Sequence, residues 1–140
     1  MAKLTFVGGI HPYDGKDLSK DKPIQDVLPK GEMVYPMSQH IGAPAKPIVA
    51  KGDRVLAGQK IAESGFVSAP IYASVSGTVK SIETRRVVTG DLIQSIVIDN
   101  DGLYESMEFH PYAPVDKLQK DEIIDIVKEA GVVGMGGAGF

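Results

Sequence analysis

Between Ile48 and Glu63 two glycine-led pairs, Gly52-Asp53 and Gly58-Gln59, stand six residues apart, and three positions after each glycine comes a β-branched residue, Val55 and Ile61. Glycine takes the positive φ that a chain reversal needs, so each pair predicts a tight turn with Val55 and Ile61 facing inward. Reversals this close together leave only short strands between them. The same logic extends along the chain. Ser74-Val75-Ser76-Gly77-Thr78-Val79-Lys80-Ser81-Ile82 alternates with period two on either side of a glycine, which predicts a strand with a bulge or bend. Thr89 to Ile98 repeats the Gly-Asp-x-apolar signature 38 residues after Gly52, suggesting two interlocked half-sheets, and Asp99-Asn100-Asp101-Gly102 closes the strand region with turn chemistry. The predicted core lies within residues 48 to 98, with Val55, Ile61, Val75, Val79, Ile96 and Ile98 buried.

Residues outside that block read differently. Pro12, Pro23, Pro29, Pro36, Pro44 and Pro47 forbid a long helix before Ile48, so residues 1–47 are expected to wrap as extended segments and turns, with regular pairing beginning near Ile48. From Val115 the period becomes helical, with Val115, Leu118, Ile123, Ile126, Val127 and Ala130 on one face, Pro114 in the first turn and Gly131 as the stop. The expected organisation is an N-terminal wrap over 1–47, a β core over 48–112, a helix over 113–131 and a glycine-rich loop over 132–140.

A chain of 140 residues is about one ordinary domain, long enough to fold around a single core with no disulfide or metal staple. It has no cysteine, so a thiolate nucleophile, a zinc ribbon and a cysteine-ligated iron-sulfur cluster are all excluded for these residues. A net charge of −3 gives no overall attraction to nucleic acid or acidic membranes. The apolar stretch before Gly8-Gly9 is too short for a signal-peptide core, and nothing approaches the roughly twenty apolar residues of a membrane span. Five of the last ten residues are glycine, which predicts a piece of a longer protein.

Few residues offer chemistry. His11, His40 and His110 are the only groups that titrate near neutrality; His11 and His110 each precede a proline, where local hydrogen bonding is expected, and Ser38 and Gln39 flank His40 closely enough to fix its tautomer. No metal or catalytic role is assigned to them. Phe66 and Met37 read as packing residues, and Arg85-Arg86 as a solvated strand end or a docking contact for an acidic partner. Gly134-Met135-Gly136-Gly137-Ala138-Gly139 fits the letters G-x-G-x-x-G, but a dinucleotide fingerprint needs a strand before it and a helix after it. Here a predicted helix precedes. By composition the stretch is either a flexible tail or a loop whose backbone approaches a flat or phosphorylated cofactor closely.

Two resemblances bear on these alternatives. The Gly52-Asp53 and Gly58-Gln59 turns, followed by Ala73-Ser74-Val75-Ser76-Gly77-Thr78-Val79, resemble the biotinyl and lipoyl carrier family, which implies a mainly β, β-rich α+β fold: a barrel-sandwich hybrid with an irregular N-terminal extension and one C-terminal helix. Carriers display a modifiable lysine at a hairpin tip, yet Ile61 to Val79 contains none, and the tip reads Ser64-Gly65-Phe66-Val67-Ser68-Ala69-Pro70. The glycine loop, together with Phe6-x-Gly8-Gly9-Ile10-His11-Pro12 and Ser38-Gln39-His40-Ile41-Gly42-Ala43-Pro44-Ala45, resembles the C subunit of the Rnf electron-transport complex in the same order along the chain. That resemblance implies a peripheral cytoplasmic subunit of a membrane complex that passes electrons between NADH and ferredoxin and couples them to ion translocation. FMN, NAD(H) and iron-sulfur clusters would belong to the whole subunit, with ferredoxin and the other subunits as partners. It makes Gly134, Gly136, Gly137, Ala138, Gly139 and Phe140 candidate FMN-binding residues and leaves this chain alone catalytically inert. The alternatives are a cobalamin-reductase-type flavoprotein of a microcompartment and a lipoyl or biotinyl carrier, the latter disfavoured by the missing lysine.

Overall fold

The computed structural model describes residues 8–10, 12–134, 136, 137 and 139. Among the described residues, seven strands form two antiparallel sheets. In the larger, β1 (Glu32–Pro36), β7 (Leu92–Asn100), β6 (Gly77–Arg86) and β3 (Arg54–Val55) lie side by side in that order; in the smaller, β4 (Lys60–Glu63) runs between β2 (Lys46–Pro47) and β5 (Ile71–Tyr72). Among the described residues there is one α-helix, α1 (Lys120–Glu129), which follows a 3-10 turn at Val115–Lys117; another 3-10 turn lies at Lys16–Leu18. The fold is mainly β, as the turn spacing predicts.

Val55, Ile61, Val75, Val79, Ile96 and Ile98 are all buried at 1% exposure or less, and the core they form takes residues from both sheets together with Tyr35, Met37, Ala45, Ala62 and Ala73. Gly52 (φ 95°) and Gly58 (φ 84°) make the two expected turns, closed by Asp53 N–H to Ala50 C=O at 3.1 Å and Gln59 N–H to Leu56 C=O at 3.0 Å. Side chains add to both: Asp53 accepts the Ala50 N–H at 2.7 Å and Gln59 the Leu56 N–H at 3.0 Å. Gly90 (φ 92°) turns β6 into β7, so the two Gly-Asp signatures introduce the two strands, β3 and β7, that flank β6.

The predicted irregularity in β6 falls at Lys80. Val79 pairs with Ile98 and Ser81 with Val97, which leaves Lys80 as the extra residue of a bulge. One inserted residue exchanges the faces of a strand. Val79 therefore points into the core before the bulge, and Ile82, not Ser81, packs against it afterwards.

Pairing starts earlier than the prolines predict. β1 pairs with β7 from Glu32↔Asp99 to Pro36↔Ser95 and sends Tyr35 into the core, where its hydroxyl meets Ser74 Oγ at 2.9 Å. Proline is tolerated here because β1 is an edge strand and Pro36 is its last residue. The helix is shorter than its periodicity predicts. Leu118 is extended (φ −89°, ψ 143°), which separates the Val115–Lys117 turn from α1, and a capping box of Gln119 and Glu122 starts the helix at Lys120. Gly131 ends it as expected, at φ 66°. None of the residues of α1 is buried.

Candidate functional site

Three parts of the chain that are distant in sequence converge on one cleft of about 810 Å³. The first is the loop that leaves β1. Met37 is buried and bonded by its N–H to Gln94 C=O at 2.8 Å, and Ala45 N–H returns to Met37 C=O at 2.8 Å, so residues 38–44 form an excursion tied at its base. The second is the β6–β7 turn. Val87 and Asp91 close it through Val87 N–H to Asp91 C=O at 2.9 Å, Thr89 Oγ1 donates to the Asp91 carboxylate at 2.7 Å, and Arg86 Nη1 donates to Gly90 C=O at 2.7 Å. The third is the glycine-rich segment, of which Gly134, Gly137 and Gly139 face the cleft.

That segment is itself turned, with Gly139 N–H on Gly136 C=O at 3.2 Å, and both Gly137 (φ 59°) and Gly139 (φ 66°) are left-handed. A Cβ on Gly139 would stand 3.3 Å from Cβ of His40, so one side of the segment rests on the 38–44 excursion. A Cβ on Gly136 or Gly137 would meet no atom within 4 Å. A second cleft of about 450 Å³ lies against Val67, Ser68, Lys128 and Val132 and shares His40, Gly134 and Gly139 with the first. Ala138 and Phe140, also candidate cofactor residues, lie outside the described residues, as does His11.

His40 is the histidine the fold brings to the candidate site, but Ser38 and Gln39 do not orient it. Its Nδ1 lies 3.0 Å from Ile41 C=O, while Gln39 Nε2 donates to Pro36 C=O at 3.0 Å. A carbonyl only accepts, so Nδ1 carries the hydrogen and Nε2 of the neutral ring is an acceptor. Arg85 and Arg86 part company. Arg85 pairs with Glu83 at 2.6 Å and with Glu32 at 3.4 Å; the Lys80 ammonium bonded to Glu32, with a smaller contribution from Arg85, keeps the Glu32 carboxyl below its ordinary pKa, and Arg86 instead lines the cleft. Met37 packs in the core as expected, whereas Phe66 does not: it is 88% exposed on the loop between β4 and β5. The wall formed by Arg86 to Asp91 escaped sequence reasoning, although the Gly90-Asp91 turn was visible there.

These features suit a flat, phosphorylated ligand such as FMN. The cleft has the size of an ordinary ligand pocket. The glycines present main chain where side chains would fill space, and Arg86, held by its Nη1 to Gly90 C=O, adds a cation to the lining. Among the described residues, no group of three or more His, Cys, Asp or Glu is placed to hold a metal ion, and no helix is long and apolar enough to cross a membrane.

Residues 4–103 match the family described as the RnfC barrel sandwich hybrid domain. The chain belongs to this family. Among curated relatives, it is 44% identical over 138 residues to the C subunit of the Na(+)-translocating ferredoxin:NAD(+) oxidoreductase complex of Acetobacterium woodii, with 97% of the chain and 31% of that protein covered. It is 46% identical over 138 residues to the C subunit of the proton-translocating ferredoxin:NAD(+) oxidoreductase complex of Clostridium ljungdahlii, covering 97% of the chain and 30% of that protein. Against the C subunit of the ion-translocating oxidoreductase complex of Vibrio cholerae the identity is 37%, over 96% of the chain and 18% of the relative. The chain thus spans about a third or less of the length of these relatives. The RnfC barrel sandwich hybrid has no lysine in the β4–β5 loop, and the lysines nearest to it in sequence are both engaged, Lys60 with Glu129 and Lys80 with Glu32.

Proposed function

We propose that this RnfC barrel sandwich hybrid is the N-terminal structural and docking module of the C subunit of an ion-translocating ferredoxin:NAD oxidoreductase, peripheral on the cytoplasmic face of the cell membrane, where it meets the other subunits and ferredoxin. In this reading Gly134, Gly136, Gly137, Ala138, Gly139 and Phe140 form the near wall of an FMN site. NAD(H) and the iron-sulfur clusters belong to parts of the subunit outside these 140 residues. The observation that carries it is the cleft. The open side of Gly137 offers main chain to a planar ring, His40 backs Gly139, and Arg86, which also lines the cleft, is a partner for an anionic group. Bound FMN would supply the exchange of electrons between a two-electron and a one-electron carrier. The residues of this chain bind and orient: the glycines keep the approach open, and the 38–44 excursion shields one side of the loop from water.

The test is FMN retention in a subunit of the relatives' full length that carries this chain. The native subunit is expected to be yellow and to hold FMN, and Gly137→Val to lose it with the β core intact. The 140 residues alone should be colourless and should not quench FMN fluorescence saturably at micromolar concentration, because half a site leaves most of the ligand in water. Normal FMN content in the Gly137→Val subunit would overturn the assignment.

A further inference from the structure

The C-terminal end of α1 is held by two residues that face each other across the small sheet. Lys60 and Tyr72 are register partners in β4 and β5. The Lys60 ammonium pairs with the Glu129 carboxylate, and the Tyr72 hydroxyl donates to the Glu129 main-chain carbonyl. Both contacts compensate for what a helix end lacks. The last carbonyls of a helix have no partner within it; Gly131 N–H reaches Lys128 C=O at 3.0 Å and Val132 N–H reaches Val127 C=O at 3.5 Å, and Tyr72 takes the Glu129 carbonyl. A carboxylate in the last turn opposes the helix dipole, and the Lys60 charge offsets it. The Glu129 hydrogen bond in turn holds the Lys60 ammonium above its ordinary pKa.

One residue past the helix cap the backbone itself rests on the small sheet. A Cβ on Gly131 would stand 2.9 Å from Pro70 C=O and 3.3 Å from the Tyr72 ring. A helix of ten residues is too short to persist alone in water, and no side chain of α1 is fully buried, Ile126 being only partly covered, so these contacts at its end do much to fix its place. From Gly131 the chain reaches Gly134, on the cleft, in three residues, a reach of about 10 Å at most.

We propose that Lys60 and Tyr72 are positioning residues that set the place of the glycine loop by clamping Glu129, so that the small sheet of a carrier-like module serves as the seat of a cofactor loop. The link to the cofactor rests on the reading that the loop holds FMN. Two measurements keep the ideas separate. In the 140-residue chain, Lys60→Met and Tyr72→Phe should each speed amide hydrogen exchange at Ala130 to Gly134 about tenfold, as the loss of one hydrogen-bonded contact would, with exchange at Ile96 and Ile98 unchanged. Lys60→Arg should restore slow exchange. In the full-length subunit the same two variants should weaken FMN binding about tenfold, again with rescue by Lys60→Arg. Unchanged exchange in both variants would overturn the clamp. Faster exchange with native FMN affinity would show that the clamp does not position the loop. A native full-length subunit that holds no FMN would count against the flavin reading alone, the clamp then being decided by the exchange rates.

Discussion

Gly139 packs its α-carbon face against His40, a residue of the opposite half of the chain, so closely that a methyl group there would stand 3.3 Å from the His40 Cβ. The contact joins two segments that no local pattern connects: the excursion tied at Met37 and Ala45, and the glycine run that follows α1. It is also the place where the two clefts meet.

Gly139→Ala should therefore disturb the site in two ways at once. The φ of 66° costs an L-residue about 1–2 kcal/mol, and the added methyl presses on His40. In the full-length subunit this variant should lose FMN content, whereas Gly139→Ala with His40→Gly, which removes the nearest atom, the His40 Cβ, should recover part of it. Equal flavin content in wild type and Gly139→Ala would show that this contact does not shape the site.

Core truncations should be severe in proportion to volume. Ile96→Ala at a site with 0% exposure is expected to cost about 2–5 kcal/mol, and Val79→Ala, which removes less, near or below the bottom of that range. Urea midpoints measure both. An unmoved midpoint for Ile96→Ala would contradict the β1–β7–β6 register.

Acid should weaken the junction between β3 and the segment after β7. Ser76 Oγ donates to Asp101 at 2.7 Å, Leu103 N–H at 2.9 Å, and Arg54 lies 3.0 Å away, and together they hold the Asp101 carboxyl below its ordinary pKa. A depressed carboxyl contributes stability that is complete above its unfolded pKa, about 3.9, and is lost as the pH falls through its lower folded value. Asp101→Asn should accordingly flatten the fall in urea midpoint below about pH 4 and lower the midpoint at pH 7. A wild-type acid limb that persists unchanged in the variant would place the titration elsewhere.

No covalent lipoyl or biotinyl group should be found on this chain. Between Ile61 and Val79 there is no lysine, and Lys60 and Lys80 are occupied by Glu129 and Glu32. Intact mass after co-expression with lipoyl and biotin ligases is expected to equal the sequence mass; a stoichiometric increase would restore the carrier reading.

The turns, the alternation and the core were legible because they are local. Gly52, Gly58 and Gly90 announce reversals through their own backbone freedom, and Val55, Ile61, Val79, Ile96 and Ile98 declare their faces by spacing alone. The stop of α1 at Gly131 belongs to the same class. What local reading misplaced was decided by partners. β1 is a strand because β7 offers it an edge, despite Pro36, and the face switch in β6 comes from a bulge at Lys80, three residues beyond the glycine that marked the strand. Phe66 is exposed because the β4–β5 loop, from which it projects, covers no other element with it. The candidate site is the most tertiary feature of all. Glycines announce a loop, but only the folded chain sets them against His40 and Arg86 and ties Glu129 to Lys60, since the energy of such contacts depends on distances in space that sequence separation does not encode.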